Sequence, residues 1–116
     1  MTSTHDAYNP KFQNNIHFAH NYNGKMYGEY YTTIRLHNPA RWIKNGKYTI
    51  FLGGIYQHEA QVKEILSFQL RDMSNMVAFI DCGRSAFAAT KLIKTLYPLA
   101  DFNQERMCLI CLKKLI

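Results

Sequence analysis

Acidic residues are scarce in this chain: eight Asp and Glu stand against fourteen Lys and Arg in 116 residues, a formal charge of +6 with histidine taken as neutral. Such an excess at this size suits a polyanionic partner, nucleic acid above all, although the same charge also keeps many small proteins in solution. The cations are scattered along the chain, so only the fold can gather them into a patch. Long apolar runs are missing as well. None approaches the ~20 residues of a membrane-spanning helix, and the polar first nine residues lack the apolar stretch of a secretory signal. Cysteine is limited to Cys82, Cys108 and Cys111. An odd number with no secretory start points to a reducing, cytoplasmic setting with no membrane partner. No P-loop, dinucleotide fingerprint, HExxH or GxSxG occurs, and no cofactor is expected. Cys108 and Cys111 have CxxC spacing, and His17 and His20 are conceivable partners in a zinc set. The cysteines lie in a strand-like MCLICLKKL run, however, where positions i and i+3 face opposite ways, so buried structural thiols are expected and no metal.

What is present, 47% apolar and 19% charged residues in a length that suits one core, describes a globular chain. Residues 1–9 read as a flexible tail and 10–116 as a single domain. Pro10 followed by Phe12, Ile16 and Ala19 predicts a short amphipathic helix over about 10–19. Residues 21–28, rich in Asn, Gly and Tyr, read as a loop. The β-branched and aromatic run 30–36 predicts a strand, ended by His37-Asn38-Pro39. Residues 39–44 suit one helical turn carrying Trp42, Asn45-Gly46 is a strong turn signal, and 47–52 is a second strand closed by Gly53-Gly54. From 59 to 70 the letters favour a helix, while Val62, Glu64, Leu66 and Phe68 set against Lys63, Ile65 and Ser67 alternate as a strand; periodicity alone does not choose. The stretch 73–81 is ambiguous. Ser85 is a good N-cap for a helix to Tyr97, which Pro98 stops, and 105–115 is a closing strand. The order implies a small α+β domain, a curled sheet or barrel.

The chemistry-bearing residues admit two readings each. Thr33 is a candidate nucleophile if a base lies beside it, or simply a strand residue. Arg35 can clamp a phosphate or a base edge with its rigid fork, or pair internally with Asp81. Asp81 can serve as a pocket carboxylate, or tie down the turn before Ser85. Tyr22, Tyr27, Tyr30 and Tyr31 with Lys25 among them suit base stacking with phosphate neutralisation, or ordinary packing at a barrel mouth. Arg41, Trp42, Lys44 and Lys47 are a candidate positive rim, with Trp42 equally at home as a core anchor.

Taken in order, Gly28 through Arg35, Gly46-Lys47, Asp81 through Ser85, Leu96-Tyr97-Pro98 and the final strand at 107–112 resemble the ASCH domain family, small barrels of the PUA-like fold. The likeness runs from about residue 10 to 116. It implies an α+β, PUA-like β-barrel with flanking helices, and it favours the strand over 61–68. Some members of that family remove the acetyl group from N4-acetylcytidine with a Lys, a Thr three residues later and a later carboxylate. Thr33 matches the Thr and Asp81 plausibly the carboxylate, but the Lys position is Tyr30, which cannot supply an amine. Lys25 precedes the motif at the wrong spacing, yet a swing of its loop would bring it into the same space. The resulting expectation is an RNA- or nucleotide-binding domain that uses Lys25, Tyr30, Arg35, Arg41 and Trp42. Its alternatives are an amidohydrolase with Thr33 and Asp81 as catalytic residues, weakened by Tyr30, and a regulatory protein-interaction module.

Overall fold

A computed structural model describes residues 14–115. The expected tail and the first part of the expected helix, residues 10–13, lie outside them. Five strands form one curled sheet: β1 (Asn15–Phe18), β2 (Tyr30–Leu36), β3 (Lys47–Leu52), β4 (Ile55–Phe68) and β5 (Met107–Leu115), in the spatial order β1-β3-β4-β5-β2. Only β1 and β3 run parallel; the other neighbours are antiparallel. Among the described residues two helices, α1 (Asn75–Cys82) and α2 (Ala86–Leu96), make the architecture α+β, and the sheet is a half-barrel with β1 and β2 as its edge strands. Among the described residues no helix is long and apolar enough to cross a membrane.

Strand alternation sorts the side chains onto two faces. On β5, Cys108, Ile110 and Leu112 turn to the concave face and join Ile16, Phe18, Tyr31, Tyr48, Ile50, Ala60 and Val62 in the main core. The opposite face of the sheet carries Met107, Ile34, Leu36 and Phe68 under α1 and α2, whose Ala78, Ala89 and Ile93 close a second core. Gly53 and Gly54 both hold positive φ in the β3–β4 hairpin, as a two-residue turn of this hand requires. Ser85 Oγ accepts from Ala88 N, the cap expected for α2, and Ser74, in the stretch whose letters left the structure open, caps α1 by accepting from Val77 N. Gly83, in the left-handed region at φ 72°, ends α1 and lets the chain reverse into α2. Asn75 Oδ1 accepts from Ala86 N at 2.7 Å and so pins the start of one helix to the start of the other.

Two sequence expectations change here. Asn15–Phe18 is a strand, not the end of a helix; Ile16 and Phe18 alternate into the core while parallel pairing to β3 supplies the backbone partners that a helix would have supplied internally. The long β4 is extended throughout, but its pattern is not one alternation. Lys63 is an extra residue opposite the Leu112–Cys111 step, so inward parity passes from Ala60 and Val62 to Ile65, and Phe68 falls on the helix-covered face. A second irregularity sits between Ile50 and Phe51 of β3. Both bend the sheet.

Tyr31 spans the concave core to reach His58, its hydroxyl 2.6 Å from Nε2. Burial holds the Tyr31 phenol well above its ordinary value of about 10. The unfolded chain then gives up this proton first, so the contribution is intact below pH ~10 and is lost as the pH rises beyond it. Tyr31→Phe should therefore flatten the alkaline decline of stability above pH ~10, read from urea midpoints across pH. An unchanged alkaline slope would assign the decline to other groups. In the same core Ile110→Ala should cost about 2–5 kcal/mol.

Candidate functional site

The edge strands of the half-barrel face one another across a seam, and the site lies there. β1 ends in His17 and Phe18, and β2 presents Thr33 and Arg35 on the same concave face, because residues two apart share a side of a strand. Between them opens a cavity of about 250 Å³. Its polar groups are Lys25, Thr33, Arg35 and Asp81, with His17, His20 and Tyr22 also on the wall; Phe18, Ile93, Leu96 and Tyr97 make the apolar part.

Lys25 arrives from the 3-10 helix Tyr22–Tyr27. Met26 is buried in the core and its backbone N–H donates to Asn21 Oδ1, which fixes that turn. The neighbouring Lys25 Nζ then reaches Asp81 Oδ1 at 2.8 Å, with side chains only 7% and 11% exposed. Thr32 Oγ1 donates to the same oxygen at 2.9 Å. Both donors fall on Oδ1, leaving Oδ2 as the acceptor open to a ligand. Burial lowers the Lys25 ammonium below its usual value, against the opposing pull of the Asp81 charge and hydrogen bond, and the nearby Arg35 charge lowers it further.

Arg35 bridges the seam. Its Nε donates to Thr33 Oγ1 and Nη2 donates to the His17 carbonyl, each at 2.9 Å, and the guanidinium lies 4.8 Å from the Phe18 ring centroid. The alternative internal pair of Arg35 with Asp81 does not form; Asp81 takes Lys25 instead.

The sequence candidates thus divide. Lys25, Thr33, Arg35 and Asp81 converge on the cavity. Tyr30 does not: it sits at the outer end of β2, exposed, with Lys113 Nζ 5.8 Å from its ring. Arg41 and Trp42 are both buried, the guanidinium stacked over the indole at 4.3 Å and donating to the Asn15 carbonyl, and the indole N–H donating to Leu36 O. They hold the 37–46 loop rather than an outer rim, and Lys44 pairs with Glu64 at 3.2 Å. Sequence reasoning missed Thr32, Tyr97 and the α2 wall of Ile93 and Leu96. The spacing of α2 marks an apolar face, yet nothing in the letters says what that face lines. Cys82 also borders the cavity, its thiol donating to Ala78 O and raised above its ordinary value chiefly by burial. Cys108 is fully buried and pushed up to about 12 by the same cause, and among the described residues no group of three His, Cys, Asp or Glu could hold a metal.

Comparison with protein-family models, curated proteins and solved structures gives no match. The chemistry of the site rests on its own geometry.

Removing the carboxylate partner tests that geometry directly. Asp81→Asn leaves the burial of Lys25 in place and takes away the charge opposing it, so the Lys25 pKa should fall further. Titration of the lysine ε-carbons by NMR reads this, and an unmoved Lys25 in the variant would refute the pair.

Proposed function

We propose that this chain is an ASCH-type, PUA-like domain whose seam cavity binds a nucleotide-like ligand. The observation that carries the reading is the convergence of donors, an acceptor and a hydroxyl from three separate segments on one cavity with an apolar wall. Lys25 and Arg35 can donate to the carbonyl and ring-nitrogen acceptors of a base, Asp81 Oδ2 can accept from an amino group, and Phe18 and Tyr97 offer flat surfaces beside them. At about 250 Å³ the cavity falls just under the ~300–1,000 Å³ of drug-sized sites, which suits a nucleoside-sized ligand better than a folded RNA. The cations at this site are half-buried or buried and engaged, so a phosphate-neutralising strip for a long strand finds no support in Lys25 or Arg41.

One observation favours hydrolysis as a second reading. An amine of lowered proton affinity shares the cavity with Thr33 and a carboxylate, so the functional triplet of the acetylcytidine enzymes is assembled with Lys25 in place of the motif lysine. In this scheme the fraction of Lys25 in its neutral amine form accepts the Thr33 hydroxyl proton as the oxygen attacks the acetyl carbonyl, and Arg35 stabilises the developing oxyanion. Collapse of the tetrahedral adduct breaks the C–N4 bond as the Lys25 ammonium returns the proton to the departing N4 amine of cytidine, and water then hydrolyses the threonine ester to acetate and restores the Thr33 hydroxyl.

Binding and turnover separate the readings. Cytidine and N4-acetylcytidine should bind the natural protein, measured by calorimetry, and Lys25→Met should weaken both about tenfold or more, the loss expected for a charged hydrogen bond. If hydrolysis occurs, Thr33→Val and Lys25→Met should each lower acetate release by at least ~10², whereas Tyr30→Lys should leave it unchanged. A gain of activity in Tyr30→Lys would place the site at the motif position after all. Absence of binding by both nucleosides would end the nucleoside reading.

A further inference from the structure

The charges around the seam cavity do not balance. Lys25 is offset by Asp81, but among the described residues no carboxylate lies within ion-pair distance of Arg35. Its two protein acceptors, Thr33 Oγ1 and the His17 carbonyl, are both neutral. A guanidinium carries five N–H donors in a fixed fork, and among the described residues these two bonds leave Nη1 and one hydrogen of Nη2 without a protein acceptor. The Phe18 ring beneath it supplies partial compensation only. Like charge on Arg41 adds to the positive potential, while Asp81, the one carboxylate of the cavity wall, acts on Arg35 only from a distance because its Oδ1 is committed to Lys25 and Thr32. Burial lowers the proton affinity of Arg35, but an arginine remains protonated at neutral pH. A half-buried, preorganised cation with donors to spare and, among the described residues, no carboxylate in contact is the arrangement that receives an oxyanion.

We propose that Arg35 forms an oxyanion subsite, so that the ligand of this cavity carries a phosphate or carboxylate that docks on Nη1 and Nη2 while its uncharged part faces Lys25, Asp81 and Thr33. The inference rests on the nucleotide-like reading above and deepens it: the preferred ligand is an anion, a nucleotide before a free nucleoside. Arg35 is then both the brace across the seam and the discriminator of ligand charge.

Calorimetry with cytidine, cytidine monophosphate, inorganic phosphate and acetate tests this. Cytidine monophosphate should bind the natural protein about ten- to a hundredfold more tightly than cytidine. The advantage should shrink with added salt and vanish in Arg35→Gln. Competition by phosphate but not acetate assigns a phosphate source, and the reverse assigns a carboxylate; either upholds the subsite. Should Arg35→Gln fail to fold, the Arg35 Nε–H resonance of the natural protein decides, because it must shift on titration with phosphate or acetate. Such a shift without any nucleoside binding upholds the subsite and removes the nucleoside reading. Equal affinity for cytidine and its monophosphate, or an Arg35 resonance unmoved by both anions, overturns the proposal.

Discussion

The open seam between β1 and β2 is the constraint on which the rest of the molecule depends. A sheet that curls this far has two edges to manage, and a closed barrel would satisfy them with backbone hydrogen bonds. Here the described part of β1 is four residues long and lies opposite the last strand of the sheet, and a side chain makes the bridge instead: Arg35 donates to the His17 carbonyl. A side-chain bridge holds the edges farther apart than a ladder would. The space left between them is the cavity. Fold closure and site formation are therefore one event, and the same guanidinium takes part in both.

The Lys25–Asp81 pair is the second tie, and it works around the other side of β2. It links the 3-10 segment to α1, while Thr32 links the strand to the same carboxylate, so three elements meet on one oxygen. Taking an ammonium and a carboxylate out of water costs several kcal/mol for each ion, and an attraction at 2.8 Å recovers it only when the remaining bonds are good. An apolar substitute of similar volume would hold these elements as well or better. The polar solution leaves an ammonium whose proton affinity burial lowers and Asp81 partly restores, beside a carboxylate whose donors among the described residues both fall on Oδ1.

Much of the fold was legible because local chemistry and tertiary context agree. The alternation of β2, β3 and β5, the Asn-Gly and Gly-Gly turns and the Ser85 cap with its Pro98 stop all say the same thing at both levels. The failures occur where they conflict. Phe12, Ile16 and Ala19 have a helical interval, but Ile16 and Phe18 are the pair that the core selects, two apart on a parallel edge strand. The Lys63 bulge shifts the inward face of β4 by one residue, which no strict period can represent. In α1, exposed Met76, Phe79 and Ile80 blur the apolar stripe, so the stretch reads as ambiguous. Thr33, Arg35 and Asp81 could be chosen as candidates by residue type, whereas the inward reach of Lys25 depends on a 3-10 turn anchored by Met26, which composition does not reveal.

The position of the amine shows why spacing misleads at this site. Tyr30 and Thr33 are three apart on one regular strand, and strand geometry places such residues on opposite faces. A lysine introduced at position 30 of this β2 would inherit the outward, exposed site of the tyrosine, beside Lys113, and would meet like charge instead of the cavity. Thr33 and Arg35, two apart, have no such difficulty and meet at 2.9 Å. An amine can join them only from another segment that approaches the edge of β2 from outside the sheet, and the 3-10 helix before the strand is such a segment. The outward position of Tyr30 and the approach of Lys25 from the preceding turn are thus one consequence of where β2 begins. With Tyr30 as the first residue of the strand, an amine facing the cavity comes from the turn that precedes it.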